Sequence, residues 1–288
     1  MISVVISTLN DATTLEECLS SLFAAGDHNG LEVVVVDAYS RDGTREIAGR
    51  YPVTLYSSGG GISVQRNIGW RMARGDLILS LDADAYVEPG CLAEMERGFA
   101  DPKVGIVECY PRAVARTWLS RAQGQLWDAD FPHYRAIPVR SKGGGPVVMY
   151  RRDMMEDVGG FNEEHTYGAE DICLSHRAFS RGWRIALIDD RPAFHHPRHT
   201  LKGLIKQQFG WGRGLSILLE NDADVYRGHP LGRYTPLIAR LAGPLLAVKW
   251  AVVLRNPSFL LFYPLMQYSY IVGYIYGRAK ERGEDGHG

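Results

Sequence analysis

The sequence has little of what marks several common protein classes. Its four cysteines, Cys18, Cys91, Cys109 and Cys173, form no CxxC pair and no regular spacing. That excludes a zinc ribbon or a disulfide framework and fits a reducing compartment. Charge is balanced, with 32 basic and 33 acidic side chains for a formal net charge of -1, so nothing electrostatic argues for general nucleic-acid binding. There is no internal repeat and no low-complexity tract, and no basic n-region or cleavage site accompanies the opening "MISVVISTLN", so no secretory signal is read. What is there is a chain of 288 residues, 45% hydrophobic, enough for one large core or two modest ones.

Roughly the first hundred residues alternate between strand and helix patterns. "ISVVIST" is β-branched. "TTLEECLSSLFAAG" has apolar residues at helical spacing, with Thr13 or Thr14 as cap and Gly26 as stop. "LEVVVVDAYS" is a second buried strand, "RDGTREIAGRY" a helix, "PVTLYSS" a short strand, "SVQRNIGWRMARG" a helix ending at Gly75, and "DLILSLDAD" a fourth strand. Such alternation implies right-handed crossovers and a mostly parallel sheet with helices on both faces, whose ligands bind at the carboxyl ends of the strands.

"LILSLDADAY", residues 77–86, runs apolar and then ends in two carboxylates, Asp82 and Asp84. The apolar half suits a strand buried on both faces. Two like charges so close repel one another and are costly to desolvate, so they lie on a solvated turn or a cation neutralises them. Asn10 and Asp11 follow the first strand and Asp37 closes the second, so polar groups from three strand ends gather on one edge, with Arg66 at the start of the third helix. Carboxylates with an arginine and helix amides suit a metal-bridged phosphate compound.

Farther on, Gly143 to Gly145 leave backbone amides open to a ligand. "EDICLSHRAFSRG" reads as a helix whose first turn carries Glu170 and Asp171; capping of the helix dipole is the plain alternative to a catalytic role. "RPAFHHPRHT" follows another strand and holds His195 and His196, one of them a metal ligand or both solvated loop residues, and His199, read as structural. Trp118, Trp127 and Tyr134 sit in a poorly periodic stretch, as sugar-stacking aromatics or as core. "YTPLIARLAGPLLAVKWAVVL" is apolar but broken by Arg240, Pro244 and Lys249, which suits an interfacial helix or re-entrant hairpin. "PSFLLFYPLMQYSYIVGYIYG" is free of charge from Asn256 to Gly277, about long enough for a span of roughly 20 residues, and Arg278, Lys280 and Arg282 follow as on a cytoplasmic flank. Both helices packing on the catalytic domain or on another subunit is the soluble alternative.

Over residues 1–215 the chain resembles the family 2 glycosyltransferases, nucleotide-sugar enzymes of the GT-A fold. "VVISTLNDATTLEECLSSL" is similar to the family's opening strand and helix and "VVVVDAYSRDGT" to its second-strand signature. "QRNIGWRMARGDLILSLDAD" is similar to the segment leading into its DxD turn, and "GGFNEEHTYGAEDICLSHRAFSRGW" to the acceptor-side segment with its Glu-Asp pair. The four occur in the family's order. The resemblance implies an α/β fold of GT-A type, a Rossmann-like mixed, mostly parallel sheet flanked by helices. It implies donor contacts from Ser7, Asn10, Asp37, Arg66, Asp82, Asp84 and Arg213, and Mn²⁺ or Mg²⁺ held by Asp84 with His195 or His196. Asp171 is implied as the general base of an inverting displacement with Glu170 beside it, and Gly144, Gly145 and Trp211 lie on the acceptor side.

The pattern departs from the family at Ala38, where many relatives carry a second aspartate, which leaves UDP- and GDP-sugars both open. "QQFGW" keeps Gln207 and Trp211 but has Gly210 where processive synthases carry arginine, which argues against such a synthase. The expectation is a catalytic domain over 1–215, divided near residue 100 into a nucleotide half and an acceptor half. A hydrophobic helical region over 216–288 would hold the protein on the cytoplasmic face of the cell membrane. The acceptor would be a lipid-linked glycan, glycolipid or surface polysaccharide precursor. The alternatives are direct transfer to polyprenyl phosphate, which hardly requires a base, and an inactive nucleotide-sugar-binding scaffold. A nucleotidyltransferase is disfavoured, because no GxGTR-like loop follows the first strand.

Overall fold

In the computed structural model, which describes residues 1–24, 31–136, 143–188, 190–221 and 235–284, the strands are β1 (Ile2–Thr8), β2 (Glu32–Asp37), β3 (Thr54–Ser57), β4 (Leu77–Leu81), β5 (Ala85–Val87), β6 (Val104–Glu108), β7 (Arg112–Ala113), β8 (Val147–Arg151), β9 (Arg184–Leu187) and β10 (Ala193–His195). The helices are α1 (Leu15–Ala24), α2 (Thr44–Ala48), α3 (Ile62–Met72), α4 (Cys91–Arg97), α5 (Trp118–Arg135), α6 (Arg152–Val158), α7 (Glu170–Ser180), α8 (Leu201–Asn221), α9 (Thr235–Leu241), α10 (Gly243–Val253) and α11 (Phe259–Glu284). Gly26, expected to stop α1, lies outside the described residues.

The chain divides into two compact units. The first takes in Met1–Arg112, Phe131–Glu163 and Asp171–His196. Its seven-stranded sheet has the order β3-β2-β1-β4-β8-β6-β9. β1 to β4 run parallel, β6 and β9 do likewise, and β8 alone is antiparallel to its neighbours β4 and β6. Successive strand side chains point to opposite faces, so each apolar strand supplies two cores. Val4, Ile6, Val35, Leu79 and Leu81 pack on one face with Leu15, Leu19, Leu22 and Met95 of α1 and α4. Val5, Ile78, Ile106, Val148 and Tyr150 pack on the other with Trp70, Met154, Met155 and Leu174 of α3, α6 and α7. Each such side chain contributes about 1.5–3 kcal/mol by leaving water, which is why these strands read as unbroken apolar runs. All four cysteines are buried and free, as their spacing predicts.

The second unit takes in Ala113–Asp130, Glu164–Glu170 and Pro197–Gly288. The boundary expected at residue 215 falls inside α8, which runs unbroken from Leu201 to Asn221; the apolar composition that suggested the boundary begins well after the helix does. α8 and α11 approach closely through small residues. A Cβ at Gly212 would lie 2.0 Å from the Tyr270 carbonyl oxygen, and one at Gly273 would lie 2.1 Å from that of Phe209. This is the small-residue contact that lets two helix backbones touch. Among the described residues no helix is long and apolar enough to cross a membrane; most of the stretch 256–277 lies in α11. α11 includes Pro264, Gln267 and Ser269 as well as several tyrosines, and Gln267 is buried. α10 has 11 residues, about 16 Å at 1.5 Å per residue.

Candidate active site

β4 ends in a turn that is fixed at both sides. The Asp82 amide donates to the Pro146 carbonyl at 2.9 Å and the Ala85 amide to the Asp82 carbonyl at 2.9 Å. Arg66, only 5% exposed, donates from Nη2 to Asp82 Oδ1 at 2.8 Å, and its guanidinium lies 5.6 Å from the Phe161 ring centre. The antiparallel pairing of β10 with β5 sets His195 opposite Ala85 and its Nε2 3.0 Å from Asp84 Oδ1. One ligand atom from each of Asp82, Asp84 and His195 lies within 4.8 Å of the others. Two carboxylates and an imidazole form a donor set that Mn²⁺ accepts readily and that Mg²⁺ accepts with added oxygens.

The two adjacent histidines part company. Neighbouring strand residues face opposite ways, so His196 turns to α1, with Nε2 2.9 Å from Glu17 Oε2, while its amide donates to the Asp84 carbonyl at 2.8 Å. Of the expected pair, His195 joins the carboxylates and His196 braces their turn from behind.

At the second strand end Asp37 is fully buried. It accepts from Thr8 Oγ1 at 3.0 Å, from the Ser40 amide at 2.9 Å and from Ser40 Oγ, with Arg45 3.6 Å away. Asn10 takes a left-handed backbone, φ 59°, a conformation asparagine tolerates. Its side chain accepts from the Arg41 amide at 3.0 Å, and its own amide donates to Ser40 Oγ at 2.8 Å. Ser7 Oγ is buried with no hydrogen-bond partner among the described residues.

The glycine loop closes on Asp171. The Gly145 amide donates to Asp171 Oδ2 at 3.1 Å, and the Ile172 amide donates to Oδ1 at 2.8 Å, so part of the capping reading holds. A Cβ at Gly144 would stand 2.0 Å from Asp171 Oδ2. Ser175, one helical turn along α7, accepts from the Gly143 amide at 2.8 Å and donates to the Gly143 carbonyl at 2.9 Å. The protein crowded around the Asp171 carboxyl raises its pKa; the positive charge of Arg66 and the bonds from Ile172 and Gly145 pull it down, and Asp82 pushes it up.

Glu108 was not foreseen. It ends β6, is 2% exposed, accepts from Tyr134 Oη at 2.7 Å and would lie 1.8 Å from a Cβ at Gly143. The signal was present, because "VGIVE" ends an apolar strand in a carboxylate as "LILSLDAD" does. Tyr134 is thereby a structural tie of α5 rather than an exposed stacking ring.

Glu170, Trp211 and Arg213 belong to the second unit. Glu170 is buried and Trp211 exposed, and Arg213 lies 3.6 Å from the centre of the Tyr167 ring. Ala169, just before Glu170, holds φ 69°, a strain of order 1 kcal/mol for alanine.

The model of the family "Glycosyl transferase family 2" matches residues 3–159. The chain is 26% identical over 224 residues to the succinoglycan biosynthesis protein ExoA of Rhizobium meliloti (strain 1021), covering 73% of this chain and 68% of that protein. It is 28% identical over 233 residues to an N-acetylglucosaminyltransferase of Rhizobium leguminosarum bv. viciae, covering 74% of this chain and 55% of that one. It therefore spans only about half the length of some curated relatives. Among solved structures it is similar in fold to the mannosyltransferase PcManGT from Pyrobaculum calidifontis in complex with GDP-Man and Mn²⁺, with TM-score 0.68, 23% identity, and coverage of 97% of this chain and 87% of that one.

Proposed function

The chain belongs to glycosyl transferase family 2, and from that premise we propose that it transfers a sugar from a UDP- or GDP-sugar to a hydroxyl of a membrane-linked acceptor, inverting the anomeric carbon. The observation that carries the reading is the convergence of Asp82, Asp84 and His195 with Arg66 and the loop-held Asp171 within one unit. Asp82, Asp84 and His195 would hold Mn²⁺ or Mg²⁺. Once bound, such an ion supplies Lewis-acid stabilisation of charge on a departing diphosphate. Arg66 adds a fixed cation against the same charge and holds Asp82 in place through its hydrogen bond. Asp37, Asn10 and Ser7, at the ends of β1 and β2, would receive the nucleoside. Asp171 accepts the acceptor's proton at a carboxylate oxygen, Glu170 orients the incoming sugar, and Gly144 and Gly145 let it approach the main chain.

Two observations support a membrane-linked acceptor. One similar protein is named for polysaccharide biosynthesis, and α10 and α11 expose Leu245, Val248, Val252, Leu261, Leu265 and Val272. We place the protein accordingly on the cytoplasmic face of the cell membrane, attached through these helices. The test is thermal stabilisation by UDP, GDP and their sugar conjugates, with and without Mn²⁺, in the native chain and in Asp84→Ala. The expected result is a rise with one nucleotide that depends on Mn²⁺ and vanishes in the variant. No rise with any nucleotide would favour the inactive scaffold, and an enzyme indifferent to Asp171→Asn would favour transfer to polyprenyl phosphate.

A further inference from the structure

The second unit contains a cationic cavity that the reaction does not use. The close approach of α8 and α11 brings Arg213 over two aromatic rings, 3.6 Å from the centre of Tyr167 and 5.3 Å from that of Tyr276. Beside it lies a cavity of about 230 Å³ whose walls include Thr166, Tyr167, Arg213, Ser216 and Lys280, with no carboxylate among the described residues. The neighbouring Arg278, by contrast, is paired with Glu220 at 3.0 Å. Arg213 is half-buried and has no carboxylate partner among the described residues. A partly desolvated guanidinium is costly without a counter-charge, and its planar fork matches a phosphate. The Thr166 hydroxyl adds a donor suited to phosphate oxygens, while the buried Ser216 hydroxyl donates to the Arg213 carbonyl at 2.7 Å and holds that turn of α8.

An apolar track leads away from this cavity. Leu261, Leu265, Tyr268, Val272 and Ile275 of α11 are exposed at intervals of three or four residues, which is one helical face. Tyr276, half exposed, belongs both to that face and to the aromatic bed under Arg213. Every charged residue from Val225 to Lys280 is basic. An apolar face with basic residues along the sequence on both sides of it matches an anionic lipid surface, where tails meet the face and headgroups meet the cations.

We propose that the Arg213–Lys280 cavity binds the phosphate of a membrane lipid whose hydrocarbon lies along the exposed face of α11. The assignment rests on the membrane-linked part of the reading above and names the group that anchors it. Arg213 is then a lipid-phosphate ligand, not a contact to the donor's diphosphate.

The test is flotation of the full chain with vesicles of phosphatidylcholine alone and of phosphatidylcholine mixed with phosphatidic acid, for the native protein, Arg213→Gln, Lys280→Gln and Val272→Ser. Binding should favour phosphatidic acid and fall about fivefold for each charge removed. Val272→Ser should weaken binding to both vesicle types. Lys280 is exposed, so its variant reads the charge even if Arg213→Gln folds poorly. Equal binding to both vesicle types, or no effect of either charge variant, overturns the phosphate assignment while leaving membrane attachment intact; no flotation at all overturns both. Arg213→Gln that floats normally but loses Mn²⁺-dependent stabilisation by nucleotide returns the arginine to the donor diphosphate. Saturable stabilisation by inorganic phosphate without any preference for phosphatidic acid assigns a free-anion site instead, and also overturns the proposal. Nucleotide stabilisation of the native chain is measured alongside, so failure of the donor reading shows separately.

Discussion

Gly144→Ala is the sharpest probe of how the base is held. The new methyl would sit 2.0 Å from Asp171 Oδ2, 2.3 Å from Cγ and 2.8 Å from Cβ. The clash therefore involves the whole short side chain and not a flexible tip. Ordinary contact begins at 3.4 Å, so loop and carboxyl must separate by about 1.4 Å. Gly144 is not among the glycines with positive φ, so alanine brings no backbone strain of its own and the effect is one of displacement. A shift of about 1 Å at a reacting group costs on the order of 10²-fold in rate, or about 2.7 kcal/mol of barrier. Crowding costs about 1–3 kcal/mol of stability besides, which a melting curve reports separately. The assay is nucleoside diphosphate release from the preferred donor in the presence of lipid extract, with donor affinity followed by thermal shift. The expected outcome is a fall in kcat with Mn²⁺-dependent nucleotide stabilisation preserved, because Asp82, Asp84 and His195 are untouched. A folded variant that keeps wild-type kcat refutes the placement of Asp171 as a loop-held base.

Asp171 must be ionised to accept a proton, and burial holds its pKa above the usual 3.8, so kcat/KM should rise with pH through that raised value and the limb should disappear in Asp171→Asn. Arg66 favours the ionised form, so Arg66→Met should move the limb to higher pH, and an unmoved limb would exclude Asp171 as the titrating group. The same raised pKa means that ionisation costs the fold stability, a cost present above the folded pKa and relieved as pH falls through it; Asp171→Asn should therefore melt higher than wild type near neutrality. In the second unit, Gly212→Ala drives a methyl against the Tyr270 carbonyl, whereas Gly210→Ala meets nothing closer than the Tyr167 carbonyl at 3.7 Å. The first should lower the melting temperature by roughly 2–4 °C per kcal/mol lost, and the second should hold or raise it by removing a helix glycine; equal melting would refute the close packing of α8 on α11.

The site was legible wherever an apolar strand delivers its polar end to one rim. "LILSLDAD", "VVVVD" and "ISTLN" each declare a buried strand and an exit, and parallel crossovers bring such exits together. "VGIVE" obeyed the same rule and was passed over because Glu108 lacks a second carboxylate to draw notice. α5 was hidden by Gly124 and Pro132, which break its period although the helix continues through both. The choice between His195 and His196 could not be read from composition, since it depends on which way a three-residue strand faces. The apolar stretch after residue 256 matched a span in length, but its Gln267 packs inward and its exposed face covers only one side, a distinction that charge counting does not make.

The reversed direction of β8 bears on how the enzyme matures. Because β8 enters the sheet where β4 and β6 leave it, the glycine loop and the carboxylate turn become neighbours only when strands distant in sequence have paired, as Asp82 does with Pro146. His195 arrives later still, on β10. A growing chain therefore displays Asp82 and Asp84 before it has Asp171 or His195. On the proposed reading, a cation site that needs Asp82, Asp84 and His195 together would be complete only once β10 has paired with β5.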